Sequence, residues 1–309
     1  MTLIVRALDP ATPADAEGFA AVRRVCVPAM LATAASVAFD RAHAHPDARY
    51  VQLIAETDGE IIGTAQVGIA HESPQPGQGF ANVYVHPERR GIGAGSLILR
   101  TAEEYLAGEG ADTVYSWVLD EPANRAFAAA RGYRASRSAH FLRLDLAGGT
   151  LPPLQEPPAG VELVSGSVYA RDARPLFALD AETVADEPSD VGAELTDYEH
   201  WLAETWHHPL VNQELTTVAL VDGRPAAFSL ARTDGEGRYA SGMTGTGRAF
   251  RGRGLAKRAK NDSLHRARAA GCTEAFTGND TGNAPMLAIN EWFGYEICAT
   301  EVRHVRELG

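Results

Sequence analysis

Short β-rich runs and helical patterns alternate along the chain, and the same order occurs twice. Leu3–Leu8 reads as a strand and Pro13–Cys26 as a helix. Val161–Val164 and Tyr169–Leu179 repeat that pair in the second half. β-rich runs then meet at Asp58-Gly59 and at Asp222-Gly223, dipeptides that favour tight hairpins. Each half continues with a strand, a glycine-rich turn and an amphipathic helix, over Gly93–Ala107 and Gly254–Ala270. Gly108 and Gly271 stand where helix C-caps are expected. Strands at Thr113–Val118 and Glu274–Thr277, a further helix, and closing strands at Ser138–Leu144 and Glu301–Arg306 complete the halves. This order predicts an α/β (α+β) fold, each half a mixed, mostly antiparallel sheet flanked by helices.

The two halves share landmarks as well as order. Arg90-Gly-Ile-Gly-Ala-Gly95 aligns with Arg251-Gly-Arg-Gly-Leu-Ala256, and Gly132-Tyr133 aligns with Gly294-Tyr295. With the Asp-Gly turns, three landmarks recur in one order at nearly one spacing, which marks a tandem of related domains. The stretch between Ala147 and Gly160 is rich in proline and glycine, as expected of an exposed connection. The expected division is therefore 1–147, a linker over 148–160, and 161–309.

Composition narrows the function. At 309 residues the chain exceeds one ordinary core, and an apolar fraction of 45% suffices for two. A net charge of −12 disfavours nucleic acid as a partner. No apolar run is long enough to span a membrane, and the N-terminus lacks a basic region followed by an apolar one. Cys26, Cys272 and Cys298 lack metal-ligand spacing. A cytoplasmic protein with reduced thiols and no metal is expected, as a monomer or a homodimer. His207-His208-Pro209 has no third ligand at a useful spacing.

A strand that runs through an Arg-Gly-x-Gly-x-(Gly/Ala) turn into a helix offers several amide N–H groups at a positive dipole end. Glycines let the backbone approach a ligand closely and adopt positive φ. The turn is thus an anion seat suited to a pyrophosphate, although it fits neither the dinucleotide-binding fingerprint nor the P-loop. Around the second turn lie Arg248, Arg251, Arg253, Lys257, Arg258 and Lys260. Lys257 and Lys260 are the only lysines of the chain. Cations in the opening turns of a helix oppose its dipole by about 0.3–1 kcal/mol each, a conflict that a phosphate-rich ligand resolves. The first half has Ser96, Leu97 and Leu99 in place of Lys257, Arg258 and Lys260.

These segments resemble motif A of the GNAT superfamily of acyl-CoA-dependent N-acyltransferases. Arg90, Gly93 and Gly95 match its (Arg/Gln)-x-x-Gly-x-(Gly/Ala) signature, as do Arg251, Gly254 and Ala256. The run Asn283-Ala-Pro-Met-Leu-Ala-Ile-Asn290-Glu-Trp-Phe-Gly-Tyr295 resembles the family's motif B. The tandem layout is similar to that of mycothiol-synthase-like two-domain acetyltransferases of natural-product pathways or resistance. The resemblance implies two tandem GNAT-like domains, acetyl-CoA as co-substrate, and direct attack by the primary amine of a small molecule on the thioester. It implies a splayed gap between the fourth and fifth strands, with backbone amides of the fourth strand polarising the thioester carbonyl.

On this resemblance the main coenzyme site is expected in the second half. It comprises Thr244, Gly245, Thr246, Arg251, Gly252, Arg253, Gly254, Leu255, Ala256, Lys257, Asn283 and Asn290. Val83, Val85, Arg90, Gly91, Gly93 and Gly95 form the alternative site in the first half. The family's thiolate-protonating tyrosine is replaced by Ala128 in one half and Asn290 in the other. Asn290 is expected to hydrogen-bond the coenzyme, and catalysis to rest largely on positioning. Asp186, Glu187, His207 and His208, in the segment 180–208, are candidates for the base or acceptor contacts. Tyr84, His86 and Tyr239 lie on the fourth strands, and Tyr198, Trp201 and Trp206 read as core. Two other outcomes stay open: a non-catalytic acyl-CoA-binding or regulatory protein, and a protein N-acetyltransferase. A peptidyl transferase using aminoacyl-tRNA calls for a basic track, which this chain lacks.

Overall fold

A computed structural model describes residues 2–187 and 194–309, and the chain divides into two compact units. Unit 1 is Met1–His140 together with Ala299–Gly309, and unit 2 is Phe141–Cys298. The expected division into contiguous halves therefore differs at the end of the chain. The last strand turns from unit 2 to unit 1, where it gives a sheet strand its hydrogen-bonding neighbour.

Unit 1 begins with β1 (Leu3–Ala7), α1 (Pro13–Cys26), α2 (Ala34–His43), β2 (Val51–Thr57), β3 (Glu60–Ile69) and β4 (Gln78–Val85). It continues with α3 (Ala94–Gly108), β5 (Thr113–Leu119) and α4 (Pro122–Ala129). Two long strands, β6 (Arg134–Asp145) and β12 (Glu296–Glu307), give part of their length to each unit. The strand order in unit 1 is β1-β2-β3-β4-β5-β12-β6. β12 runs antiparallel to β5, from Glu301 opposite Leu119 to Glu307 opposite Thr113.

Unit 2 contains β7 (Val161–Ser165), α5 (Arg174–Val184), α6 (Tyr198–Trp201), β8 (Thr217–Val221), β9 (Arg224–Thr233) and β10 (Arg238–Thr246). After them come α7 (Leu255–Ala269), β11 (Glu274–Asp280) and α8 (Ala284–Phe293). Its strand order is β7-β8-β9-β10-β11-β6-β12, the same plan as unit 1. α5 starts later than the expected Tyr169, because Gly166–Tyr169 forms a short 3₁₀ turn and Pro175 sits in the first helical turn.

Local chemistry accounts for the elements. Pro13 starts α1, Asp15 lies in its first turn and Arg23 and Arg24 in its last, all favourable to the helix dipole. Thr33 and Ser36 form a reciprocal capping box at α2. Both Asp-Gly hairpins form, with left-handed φ at each of the four turn residues. The left-handed residue after α3 is Gly110, two positions beyond the expected cap at Gly108. Ile98, Ala102 and Leu106 on α3 pack with Ile62, Ala65 and Val67 of β3 in the core of unit 1. Burial of each such aliphatic side chain contributes about 1.5–3 kcal/mol.

The stretch 148–160 is no free tether. Asn261 donates to the carbonyls of Pro152 and Pro153 (3.2 Å each), His265 Nε2 lies 2.9 Å from Pro152 O, and Arg268 donates to Gly149 O. Four polar side chains of α7, counting Arg258 on Glu156 O, thus satisfy carbonyls of a segment that proline makes poor in N–H donors. Among the described residues no helix is long and apolar enough to cross a membrane.

Candidate active site

In both units a parallel strand pair comes apart. β4 pairs with β5 only from Gln78 opposite Thr113 to Phe80 opposite Tyr115. β10 pairs with β11 only from Arg238 opposite Glu274 to Ala240 opposite Phe276. Beyond those points the backbones separate. In unit 1 the amide of Asn82 takes part in the gap, its Oδ1 accepting from Trp117 N at 2.9 Å.

The strand that leaves each pair ends in the glycine turn. Gly91 and Gly93 have φ of 86° and 93°, and Gly252 and Gly254 have 76° and 69°. These left-handed values favour glycine, and a Cβ at any of the four positions meets nothing within 4 Å. The bend is therefore set by backbone conformation, and open space lies in front of it. The first intrahelical bonds run from Leu97 N to Gly93 O and from Arg258 N to Gly254 O. The amides of residues 94–96 and 255–257 precede them and face the helix N-terminus without an intrahelical acceptor.

A cavity of about 430 Å³ lies in unit 1 beneath this turn. Val83, Tyr84 and Val85 line one side, Ser116–Leu119 the other, and Gly91, Gly93, Ala94, Gly95 and Ser96 its end. Leu99, Phe127 and Ala128 make its floor apolar, and Arg89, Arg90 and Arg131 also line it. Arg131 donates to Ser96 Oγ at 2.6 Å and lies 3.5 Å over the Phe127 ring. Arg90 is 3.1 Å from Glu121, an exposed pair of the kind worth ~0–1 kcal/mol, which an incoming anion can displace.

Unit 2 places different chemistry at the same fold positions. Lys260, Asn290 and Asn279 occupy the places of Leu99, Ala128 and Val118. The Lys260 ammonium is fully buried, donates to Asn290 Oδ1 at 2.6 Å and sits 4.9 Å over the Tyr295 ring. Asn290 in turn donates to Asn279 Oδ1. Burial pulls the Lys260 amine down to about 7. The expectation that Lys260 helps to meet a phosphate at the helix start is thus corrected: it points into the core and binds an amide. Lys257 lies 3.2 Å over the Trp292 ring, a cation–π contact on a half-exposed surface.

The remaining candidates fall in distinct environments. Asp186 grips Arg248 at 2.7 Å and also pairs with Arg251. Those two guanidinium groups hold its carboxyl at about 2, so it is a clamp on the second turn and a poor base. Glu187 and His207 are exposed, whereas Asn290 is fully buried. His208 is buried, and its Nδ1 accepts from Leu210 N at 3.2 Å. Asn283 caps α8 by accepting from Met286 N, and Thr244, Gly245 and Thr246 lie half-buried on the parting strand β10. Residues 188–193 of the candidate segment 180–208 lie outside the described residues.

Tyr239 is buried and bonded to Ser263 at 2.8 Å, and His86 Nδ1 accepts from Glu88 N, so both serve local structure. Burial pushes the Tyr84 phenol up to about 12. Trp201 and Trp206 stack in the core of unit 2, with Trp201 Nε1 donating to Asp180 at 2.8 Å. Arg131 was not among the sequence candidates; its place on the cavity wall follows from α4 running beside the glycine turn.

The model of the acetyltransferase (GNAT) family matches residues 22–133 and 178–295, which is most of the chain and one match in each half. The chain belongs to the GNAT family and is an N-acetyltransferase. Among similar GNAT proteins is a mycothiol acetyltransferase of Nocardia farcinica, 32% identical over 222 residues, covering 71% of this chain and 70% of that one. A GCN5-related N-acetyltransferase from Sphaerobacter thermophilus shares the fold at a TM-score of 0.72 and 23% identity, over 99% of this chain and 95% of its own. A tandem GNAT protein from the clavulanic acid biosynthesis pathway does so at 0.72 and 19%, over 100% and 99%. GNAT enzymes in general use acetyl-CoA, and the separated strands and glycine turns are the parts of this chain that fit it.

Proposed function

We propose that the chain transfers the acetyl group of acetyl-CoA to the primary amine of a small molecule, with the thioester seated in the unit 1 cavity. The observation that carries this reading is the cavity itself, which joins a glycine turn, a parting of parallel strands and an apolar floor. Its volume is in the range of small-ligand sites, roughly 300–1,000 Å³. The amides of residues 94–96 and the guanidinium groups of Arg90 and Arg131 suit the pyrophosphate. Val83, Val85 and the opposite wall at Trp117–Leu119 suit the narrow pantetheine arm.

What acetyl-CoA supplies is a thioester carbonyl open to attack. The protein supplies apolar walls that exclude water and backbone dipoles that favour charge on the carbonyl oxygen. Holding amine and thioester together contributes further rate. A small-molecule acceptor, in natural-product chemistry or resistance, agrees with the acidic surface, and the buried thiols of Cys26 and Cys272 support a cytoplasmic setting.

The second turn supports a second reading, a further coenzyme site over Thr244–Thr246 and Arg251–Lys257 with Asn283 and Asn290 behind it. Its glycines share the conformation of the first turn. The Asp186 clamp and the buried Lys260 chain favour unit 1 as the site of turnover. The test is free-thiol release from acetyl-CoA with a panel of amines, alongside calorimetry. Gly93→Val is expected to reduce both binding and release; intact release from this variant would exclude unit 1 as the active unit.

A further inference from the structure

Strand β4 meets the unit 1 cavity from both of its faces. Val83 and Val85 pack against the core that α3 covers. Tyr84, between them, stands on the other face of the strand, where Arg23 of α1 lies 4.9 Å over its ring. Tyr84 and Cys26 of α1 nevertheless line the same cavity as Val83 and Val85. The cavity therefore passes through the sheet, by way of the gap that opens where β4 leaves β5 after Phe80.

The side chains of the cavity wall that carry an O–H or S–H group are Cys26, Tyr84, Ser96, Ser116 and Tyr133. Cys26 donates to Val85 O at 3.4 Å, Tyr133 donates to Glu103 at 2.8 Å, and Ser96 is held by Arg131 at 2.6 Å. Tyr84 is only 7% exposed, and among the described residues its hydroxyl has no hydrogen-bond partner. A buried hydroxyl without a partner is costly, so one kept on a cavity wall points to a bond made with the ligand. Ser116 is buried and unbonded as well, but an aliphatic alcohol is a far weaker acid than a phenol.

Resting on the unit 1 reading above, we propose that Tyr84 is the acid of the reaction, its hydroxyl giving a proton to the coenzyme sulfur as the thiolate departs. Ala128 leaves α4 without the tyrosine that the family uses for this step, and β4 supplies one from the other side of the same gap. Burial holds the Tyr84 phenol at about 12 against the opposing pull of Arg23, so near neutral pH it is a proton donor.

The step balances within the two substrates and this one hydroxyl. The acceptor arrives as a neutral amine, its ammonium proton having gone to solvent. The amine nitrogen forms its bond to the acetyl carbon as the carbon–sulfur bond breaks with its electron pair on sulfur. Tyr84 Oη gives its proton to that sulfur, which leaves as the free thiol. The proton that the nitrogen sheds on becoming an amide restores the phenol.

Tyr84→Phe removes the hydroxyl alone, and three readouts test the proposal. With the best amine of the panel, its kcat for thiol release from acetyl-CoA is expected to fall tenfold or more, towards the roughly 100-fold that a positioned acid contributes. A smaller fall overturns the proposal. Its denaturant midpoint is expected to equal or exceed that of the wild type, because the lost hydroxyl holds no partner. A lowered midpoint would give Tyr84 a structural role instead. With S-(4-nitrophenyl) thioacetate as donor, whose thiolate is stable without a proton, the two proteins are expected to react within about threefold of each other. A deficit as large as that with acetyl-CoA overturns the acid. Gly93→Val, run alongside with calorimetry, separates the two ideas. Intact coenzyme binding and release in Gly93→Val defeats the unit 1 reading, whereas their loss there with full release by Tyr84→Phe defeats this one.

Discussion

Units 1 and 2 carry one architecture and one glycine turn, yet differ in what lies beneath that turn. Leu99, Val118 and Ala128 give the cavity under the first turn an apolar lining. Lys260, Asn279 and Asn290 fill the corresponding places in unit 2 with a hydrogen-bonded chain that ends on a buried ammonium. On the reading proposed above, a glycine turn seats a thioester where an apolar slot lies beneath it, as in unit 1. In unit 2 the same place is taken by a buried chain of polar side chains. Carboxylates differ as well, since Asp186 spans two arginines of the second turn whereas Glu121 meets only Arg90 of the first.

The largest expected effect concerns Lys260. Its amine titrates near 7 in the fold and near 10.5 when unfolded. Between those values the unfolded chain holds one more proton, so stability rises with pH across that window, and below it both states are protonated and the full cost of the buried charge is present. Relative to Lys260→Met, wild-type stability is expected to gain roughly 3–4 kcal/mol from pH 7 to pH 10, by denaturant unfolding. A difference that is flat with pH would show that Lys260 is solvated. Next come the glycines. A side chain at a left-handed position costs about 1–3 kcal/mol, so Gly93→Val is expected to slow turnover by roughly tenfold to 100-fold, and Gly254→Val by less than about threefold.

Smaller effects sharpen the contrast. Arg131→Ala is expected to weaken acetyl-CoA binding by about threefold to tenfold, through loss of one guanidinium at the cavity wall. Asp186→Asn releases Arg248 and Arg251 at the second turn, and its effect on turnover is expected to stay under about threefold, as befits an exposed ion pair. A large gain in turnover from Asp186→Asn would return the chemistry to unit 2.

Much of this was legible in the residues. The Asp-Gly turns, the two glycine bends and the helices behind them follow from local chemistry, and all form where the sequence places them. The exchange of the last strand was not legible, because it depends on which of two equivalent strand edges a distant segment joins. Lys260 was open to a better reading. Ala256, Lys260, Leu264 and Ala267 lie three to four residues apart, the spacing of a buried helix stripe, and charge alone suggested the surface.

The central claim is that the thioester belongs to unit 1. A crystal structure of the complex with acetyl-CoA tests it most directly. The account predicts an acetyl group between Val83–Val85 and Trp117–Leu119, with the pyrophosphate at Gly91–Ser96. Coenzyme found solely at Arg251–Lys257, with the unit 1 cavity empty at saturating concentration, would contradict it.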